Sequence, residues 1–380
     1  MNLILVNHKD PFDIGSFSGI SHFMSEEIKS QFRVIGEFNQ FEPDTITQDV
    51  LNGNAKKILE PFGRKLTTYI KNLDFKPDYI FCQGGNISIP FYNGNIPIAY
   101  WHDSTWNSIW RNYEDNSGFL DNRSFKTFKK VFKNLYYWDK AAMDRADLIF
   151  FSSDYIAEAA IRNYKISNKK VFVIPYGANL PANPSSESLE QILKNRISKK
   201  KLILTFIGKD WQRKGLKTAV NLTNRMNFIG VPTKLNIIGC KPSIEKFIDN
   251  DCFSVIGFID KNEGKDLATL NKILEDTHFL IHPALSEPFG IVICEANAYG
   301  IPIFGTNIDG LKTTVAIGKN GYLFNKNRFI TSTSDMLKSI FHEIDEKYPP
   351  LFYSTVKEYN TRLNWKVNVA QLQEIMKQNF

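Results

Sequence analysis

Short apolar runs, rich in β-branched and aromatic residues, recur along the chain with room for a helix after each. The first series falls at residues 2–6, 32–38, 79–83, 96–102, 148–152 and 171–175, the second at 202–208, 235–239, 253–259, 279–283, 301–305 and 321–324. These runs are apolar on both faces rather than alternating, the pattern of strands buried between two helical layers in a parallel sheet. Strands alternating with helix-length segments imply βαβ units. The predicted class is α/β, with two Rossmann-like, doubly wound domains of about six strands each. Between the series, residues 177–199 begin with Gly, Pro, Asn and Ser and read as linker. The expected domains are therefore 1–178 and 179–359, with a terminal helix over about 360–380 packing back on the first. In open α/β sheets ligands bind beyond the carboxyl ends of strands, where strand order reverses. The expected site is a cleft across which the two domains face each other.

Composition narrows this picture only a little. With 380 residues, 43% hydrophobic and 23% charged, the chain is long enough for two cores and too apolar for disorder. A formal charge of +7 suits anionic ligands without singling out nucleic acid, which is not expected as a partner. Cys82, Cys240, Cys252 and Cys294 have neither CxxC nor metal-ligand spacing, and read as reduced thiols of a cytosolic protein. The start, MNLILVNHKD, has an apolar run of four with no basic region before it, so no signal peptide is expected and the placement is cytoplasmic. No apolar run approaches the roughly 20 residues of a membrane span.

The chemistry is concentrated after strand ends. Ser286-Glu287-Pro288-Phe289-Gly290-Ile291-Val292-Ile293-Cys294-Glu295-Ala296 follows the strand FLIHPA and runs into a helix ended by Gly300-Ile301-Pro302. Helix N-terminal amides near Phe289, Gly290 and Ile291 form an anion site, and glycine lets a phosphate approach closely. Glu287 and Glu295, eight positions apart, can accept hydrogen bonds from sugar and ribose hydroxyls. After the first strand of the second domain comes Gly208-Lys209-Asp210-Trp211-Gln212-Arg213-Lys214-Gly215, a basic turn at a strand end.

The first segment resembles the donor-site signature of the retaining glycosyltransferases of family 4, which have the GT-B fold. That resemblance implies that Glu287 contacts the transferred sugar and Glu295 the nucleotide ribose. The basic turn resembles the family's Gly-Arg…Lys-Gly loop, with Lys214 on the diphosphate. Lys209 stands where arginine is usual, so either Lys209 or Arg213 is the second phosphate contact. In the first domain, Gly19 matches one glycine of the family's glycine-rich phosphate loop, and Ser18 replaces the other; a plain βα turn is the competing reading. His102 ends the strand IPIAY where the family often has a histidine near the donor sugar. His22, His278 and His282 read as structural. Gly310, in Thr306-Asn307-Ile308-Asp309-Gly310-Leu311, fits a backbone phosphate contact, although Asp309 and Thr313 depart from the family pattern. Residues 147–179 resemble the end of the family's first domain.

The resemblance implies a retaining glycosyltransferase with Glu287, His102 and Lys214 as catalytic groups, moving a hexose-type sugar from a nucleotide-diphosphate sugar to an acceptor hydroxyl in cell-surface glycan or glycolipid synthesis. No cofactor beyond this co-substrate and no metal is expected. Asp249-Asn250-Asp251 formally matches Asp-x-Asp but reads as a turn. A catalytically silent binding subunit, or another GT-B enzyme such as a sugar-nucleotide epimerase, shares these lobes; a silent member usually loses Glu287 or the basic turn. Over residues 125–133, Phe125, Phe128 and Phe132 line one side of a helix and Lys126, Lys129, Lys130 and Lys133 the adjacent side. Core packing is the plainer reading, and contact with the inner membrane face, for an acceptor carried on a lipid, is the sharper one.

Overall fold

The computed structural model describes residues 1–8, 10–14, 16–39, 49, 53, 55–84, 87–115, 122–240 and 251–379, without the side chains of 16, 17, 112–115 and 122–131. The chain folds into two compact units, one of Met1–Pro175 with Asn368–Phe380 and the other of Tyr176–Val367.

The first unit is built on a six-stranded sheet of β1 (Asn2–Asn7), β2 (Arg33–Asn39), β3 (Tyr79–Gln83), β4 (Ile98–His102), β5 (Leu148–Phe151) and β6 (Val171–Val173), in the order β2-β1-β3-β4-β5-β6. The second carries β7 (Leu202–Ile207), β8 (Thr233–Ile238), β9 (Phe253–Gly257), β10 (Phe279–His282), β11 (Ile303–Thr306) and β12 (Gly321–Phe324), in the order β12-β11-β10-β7-β8-β9. Every pairing is parallel. The expected α/β class and both sheets are present. Leu3 to Val6 in β1 and Phe279 to Ile281 in β10 are fully buried, because helices cover both faces of a parallel sheet. The edge strands β2 and β9 keep polar or half-exposed positions, such as Arg33 and Val255.

Two segments differ from the sequence reading. The linker composition stops at Ser185, whose hydroxyl accepts the Ser188 N–H at 3.1 Å and caps a helix over Ser186–Ile197. That helix buries Ile192, Leu193 and the whole of Arg196. The Arg196 guanidinium donates to the carbonyls of Leu274, Glu275 and Tyr299 at 2.8, 3.0 and 3.0 Å, satisfying helix-end acceptors that burial would otherwise leave unpaired. The terminal helix is two helices, Ile344–Arg362 and Trp365–Asn379. The chain breaks at Leu363–Asn364, where the Asn364 side chain accepts the Val367 N–H at 3.0 Å. Residues 368–380 join the first unit: Asn368 donates to the Pro175 carbonyl and Gln373 to that of Gln31, both at 2.8 Å.

Residues Asn122–Arg145 are helical, but the side chains of 125–131, and with them most of the aromatic–lysine pattern, lie outside the described residues. Of the rest, Phe132 packs on Trp110 at 5.5 Å, and Tyr136 stacks on Tyr164 at 4.7 Å between ring centroids. Asp249 and Asn250 also lie outside the described residues. Among the described residues no helix is long and apolar enough to cross a membrane. All four cysteines are free thiols.

Candidate active site

In the second sheet the chain starts at β7, steps outward through β8 and β9, and returns to lay β10 on the other side of β7. The loops after β7 and β10 therefore leave the carboxyl edge where strand order reverses, the place where such sheets bind ligands. These are the loops that carry Lys214 and Glu287.

Glycines let the two loops lie against each other. A Cβ on Gly215, whose φ is +79°, would stand 2.0 Å from the Pro283 carbonyl oxygen, directly after β10. The Leu285 N–H donates to the Arg213 carbonyl at 2.7 Å, and the Arg213 guanidinium donates to the Ser286 carbonyl at 2.7 Å. Gly208 is packed less tightly, against a side chain rather than backbone: a Cβ there would come within 2.9 Å of the Lys214 side chain.

This backbone places the Lys214 ammonium on the Glu287 carboxylate, in a pair whose side chains are only 14% and 7% exposed. His282, at the end of β10 and fully buried, approaches the same carboxylate oxygen with Nε2 at 3.0 Å. Burial by itself would raise the Glu287 carboxyl; Lys214, the His282 hydrogen bond and Arg213 outweigh it and hold the carboxyl well below its usual range. Burial lowers both Lys214 and His282. A neutral His282 beside a carboxylate carries its proton on Nε2, leaving Nδ1 as a buried acceptor with no hydrogen bond among the described residues. The Glu287 backbone is held too: its N–H donates to Asp309 Oδ2 at 3.1 Å, and its carbonyl accepts the Gly310 N–H at 3.0 Å. Gly310, the candidate backbone phosphate contact, uses this N–H to brace the Glu287 loop, with so little room that a Cβ would meet the Pro288 carbonyl oxygen at 1.7 Å.

Gly290, at φ +89°, caps the helix Ile291–Ala298, whose first amides have no acceptor within the helix. Phe289 is buried, with its ring edge-on to Tyr176. Glu295 lies in the second turn, buried, and its Oε1 receives the Lys261 ammonium at 2.5 Å. Burial raises the Glu295 carboxyl and Lys261 opposes the shift. The two candidate phosphate cations part company: the Lys209 ammonium lies 4.4 Å above the ring of Phe258, whereas Arg213 sits beside Glu287 and pairs with Asp210 at 3.1 Å.

In the first unit, strand order reverses between β1 and β3, where the uncharged side chains of Asn7, Ser25 and Gln83 meet. The Gln83 amide donates to Asn7 Oδ1 at 2.5 Å and to the Ser25 hydroxyl; His8 lies between Ser88 and Cys82, at 3.1 and 3.4 Å. Gly19 caps the helix Ile20–Gln31 at φ +85°, following Ser18 at +58°. His102 ends β4, stacks on Tyr100 and engages Ser104 of its own loop through Nδ1 at 2.7 Å. His22 contacts the Pro11 carbonyl, and His278 is locked between the Ile203 N–H and the Arg196 carbonyl. Each unit thus holds its own candidates: Gly19 and His102 in the first, all the others in the second.

Lys261, Asp309 and His282 were missed as partners. His282 ends a strand, the same signal that singled out His102. Asp309 stands in the loop marked by Gly310 but as a departure from the family pattern, and Lys261 sits in a polar loop with nothing in its neighbours to mark it.

Residues 187–347, within the second unit, match the family model of glycosyl transferases group 1. The capsular polysaccharide biosynthesis glycosyltransferase CapM of Staphylococcus aureus is 22% identical over 208 residues, 51% of this chain and 52% of that protein. The chain spans about half to three-fifths of the length of most of the curated relatives it matches, and 10% of two plant sucrose-phosphate synthases. Among solved structures, sucrose-phosphate synthase of Thermosynechococcus elongatus superposes with a TM-score of 0.70 at 16% identity, over 100% of this chain and 98% of that one. Anabaena HepE, solved in complex with UDP, gives 0.64 at 14% identity, over 99% of each chain. At such identities the likeness establishes the fold, of GT-B type.

Proposed function

We propose that this chain, with its glycosyl transferases group 1 domain at residues 187–347, transfers a sugar from a nucleoside-diphosphate sugar to an acceptor hydroxyl with retained anomeric configuration. The observation that carries this reading is the pair of buried Lys–Glu contacts, Lys214–Glu287 and Lys261–Glu295, at the carboxyl edge of one sheet. Ions are rarely taken out of water unless paired or put to use. Here they would meet a ligand that is anionic at one end and rich in hydroxyls at the other.

Lys214, with Arg213 as the second cation, takes the diphosphate, together with the amides at Phe289, Gly290 and Ile291. Lys209, held over Phe258, is assigned a lesser part. Glu287, kept ionised, accepts hydrogen bonds from the sugar; as a strong acid it is a poor proton donor, so its task is orientation. Glu295 accepts from the ribose. The acceptor oxygen attacks the anomeric carbon on the face from which the diphosphate leaves. The new C–O bond forms as the old one breaks, and the acceptor proton passes to the departing phosphate oxygen. Charge grows on that phosphate, where Lys214 is worth most. With side-chain cations in this role, turnover is proposed to need no divalent metal. The S. aureus relative named for capsular polysaccharide synthesis favours a cell-surface glycan as the acceptor class.

The test is calorimetric titration with UDP, GDP and ADP, then turnover of the matching sugar nucleotide with the product anomer read by NMR. Binding of one nucleotide that is lost in Lys214→Ala, and a product with the donor's anomeric configuration, are expected. No binding of any of the three would overturn the reading. An inverted product would overturn retention, and activity abolished by EDTA would overturn metal independence.

A further inference from the structure

We propose that Lys261 is a positioning residue that makes Glu295 a reader of the ribose diol, so that the site selects a ribonucleotide over its 2′-deoxy counterpart. This rests on the donor-site reading above and adds a group that neither the motif nor the family match assigns.

Lys261 lies 34 positions before Glu295 in the chain, on the loop that leaves the carboxyl end of β9. The loop is braced before any ligand arrives. The Asp260 N–H donates to Asp266 at 2.9 Å, and Asp260 Oδ1 accepts the Asn262 N–H at 2.9 Å. From it the Lys261 ammonium reaches Glu295 Oε1 at 2.5 Å and the Asn179 carbonyl at 3.2 Å, and only 18% of the side chain is exposed. Asn179 is itself fixed by the Trp365 indole, which donates to Oδ1 at 2.9 Å. The ammonium is thus held from two sides and the carboxylate from one.

Two consequences follow from elementary electrostatics. A carboxylate this buried tends to take up a proton, and the adjacent cation opposes that tendency. Anchoring Oε1 on Lys261 also leaves Oε2 as the carboxylate oxygen that a ribose hydroxyl would use. Hydroxyls donating to an ionised oxygen make stronger hydrogen bonds than they make to a neutral acid. A site built around such an oxygen disfavours the analogue that lacks the hydroxyl, because a buried acceptor oxygen is then left without its donor. Without Lys261 the acid is neutral or turned aside, and one hydroxyl more or less counts for little.

Calorimetric affinities for UDP, GDP and ADP and for their 2′-deoxy forms, measured on wild type, Lys261→Met and Lys261→Arg, test this. In wild type the ribonucleotide that binds is expected to do so at least about tenfold more tightly than its deoxy form, the worth of a hydrogen bond to a charged group. Lys261→Met should bring the ratio close to one, mainly by weakening the ribonucleotide, and Lys261→Arg should restore it. If methionine at 261 prevents folding, Lys261→Gln removes the charge while keeping a donor for Asn179, and carries the same expectation. A merely structural Lys261 would weaken both nucleotides alike, so an unchanged ratio in Lys261→Met, or in Lys261→Gln, overturns the inference and leaves the donor reading standing. If wild type binds none of the three nucleotides, the donor reading falls, and this inference with it.

Discussion

At the point where strand order reverses in the first sheet, Asn7, Ser25 and Gln83 share one neutral hydrogen-bond network. At the corresponding point of the second, Lys214, Glu287 and His282 share a buried charge. The backbone plan is common to both: parallel strands, a reversal, and loops leaving the same edge. The contents obey different energetics. A neutral hydrogen bond contributes about 0.5–1.5 kcal/mol net, and breaking it costs mainly the desolvation of the group left behind. A buried ion pair contributes little net stability, yet losing one partner costs about 3–5 kcal/mol. The neutral edge is therefore read most simply as scaffold, whereas a charged edge has to be explained by what it binds.

The sharpest way to break this contrast is Lys214→Ala. Loss of turnover by about 100- to 1000-fold is expected, the scale of removing one stabilising donor from a developing anion. Urea unfolding should show a stability loss of about 3–5 kcal/mol from the stranded Glu287 charge. Adding Glu287→Gln to Lys214→Met should regain most of that stability but none of the turnover. A fully stable Lys214→Ala would mean that the pair is already well solvated, and the contrast would fail. The counterpart in the first sheet is Gln83→Ala. It should lose about 1–3 kcal/mol of stability, through buried partners left unpaired, with nucleotide affinity unchanged by calorimetry.

Acid should distinguish the groups as well. His278, buried, is lowered to about 3, so on acidification from the unfolded value near 6.5 the unfolded chain takes up the proton first and stability falls. Glu287 is depressed, so its contribution is complete above the unfolded carboxylate value of about 4.3 and is lost as pH falls below it. Melting temperatures across pH should therefore fall in two limbs. His278→Asn should flatten the upper one and Glu287→Gln the lower; a lower limb unchanged in Glu287→Gln would show that its charge is not held by folding. The smallest effect is expected from Lys209→Ala. An exposed cation–aromatic contact is worth about 0.5–1 kcal/mol, so nucleotide affinity should drop by no more than about fivefold, and by less than in Arg213→Ala. The reverse order would return Lys209 to the diphosphate.

Much of this was legible in the chain. The runs at 79–83 and 321–324 coincide with β3 and β12, and most others differ by only a residue or two at their ends. Glu287, Gly290 and Glu295 could be found because they share one short strand–loop–helix segment. The helix Ser186–Ile197 was hidden by the prolines and serines before it, although Ser185 is its cap. The break at Asn364 was missed because neither proline nor glycine marks it. Lys261 had no local signal and Asp309 only its place beside Gly310, since each acquires its role from a residue at least 22 positions away.

The sequence by itself determined the two-sheet class, the helix-start glycine at 290 and the residue types available for phosphate and sugar, because periodicity, backbone freedom and side-chain charge are properties of short stretches of chain. Only the tertiary structure decided that Lys214 meets Glu287, that Lys261 meets Glu295, that Gly310 braces the Glu287 loop, and that Arg213 rather than Lys209 stands by the pair. Those pairings depend on β10 returning to lie beside β7, and strand neighbourhood is chosen by the packing of the whole sheet rather than by any segment within it.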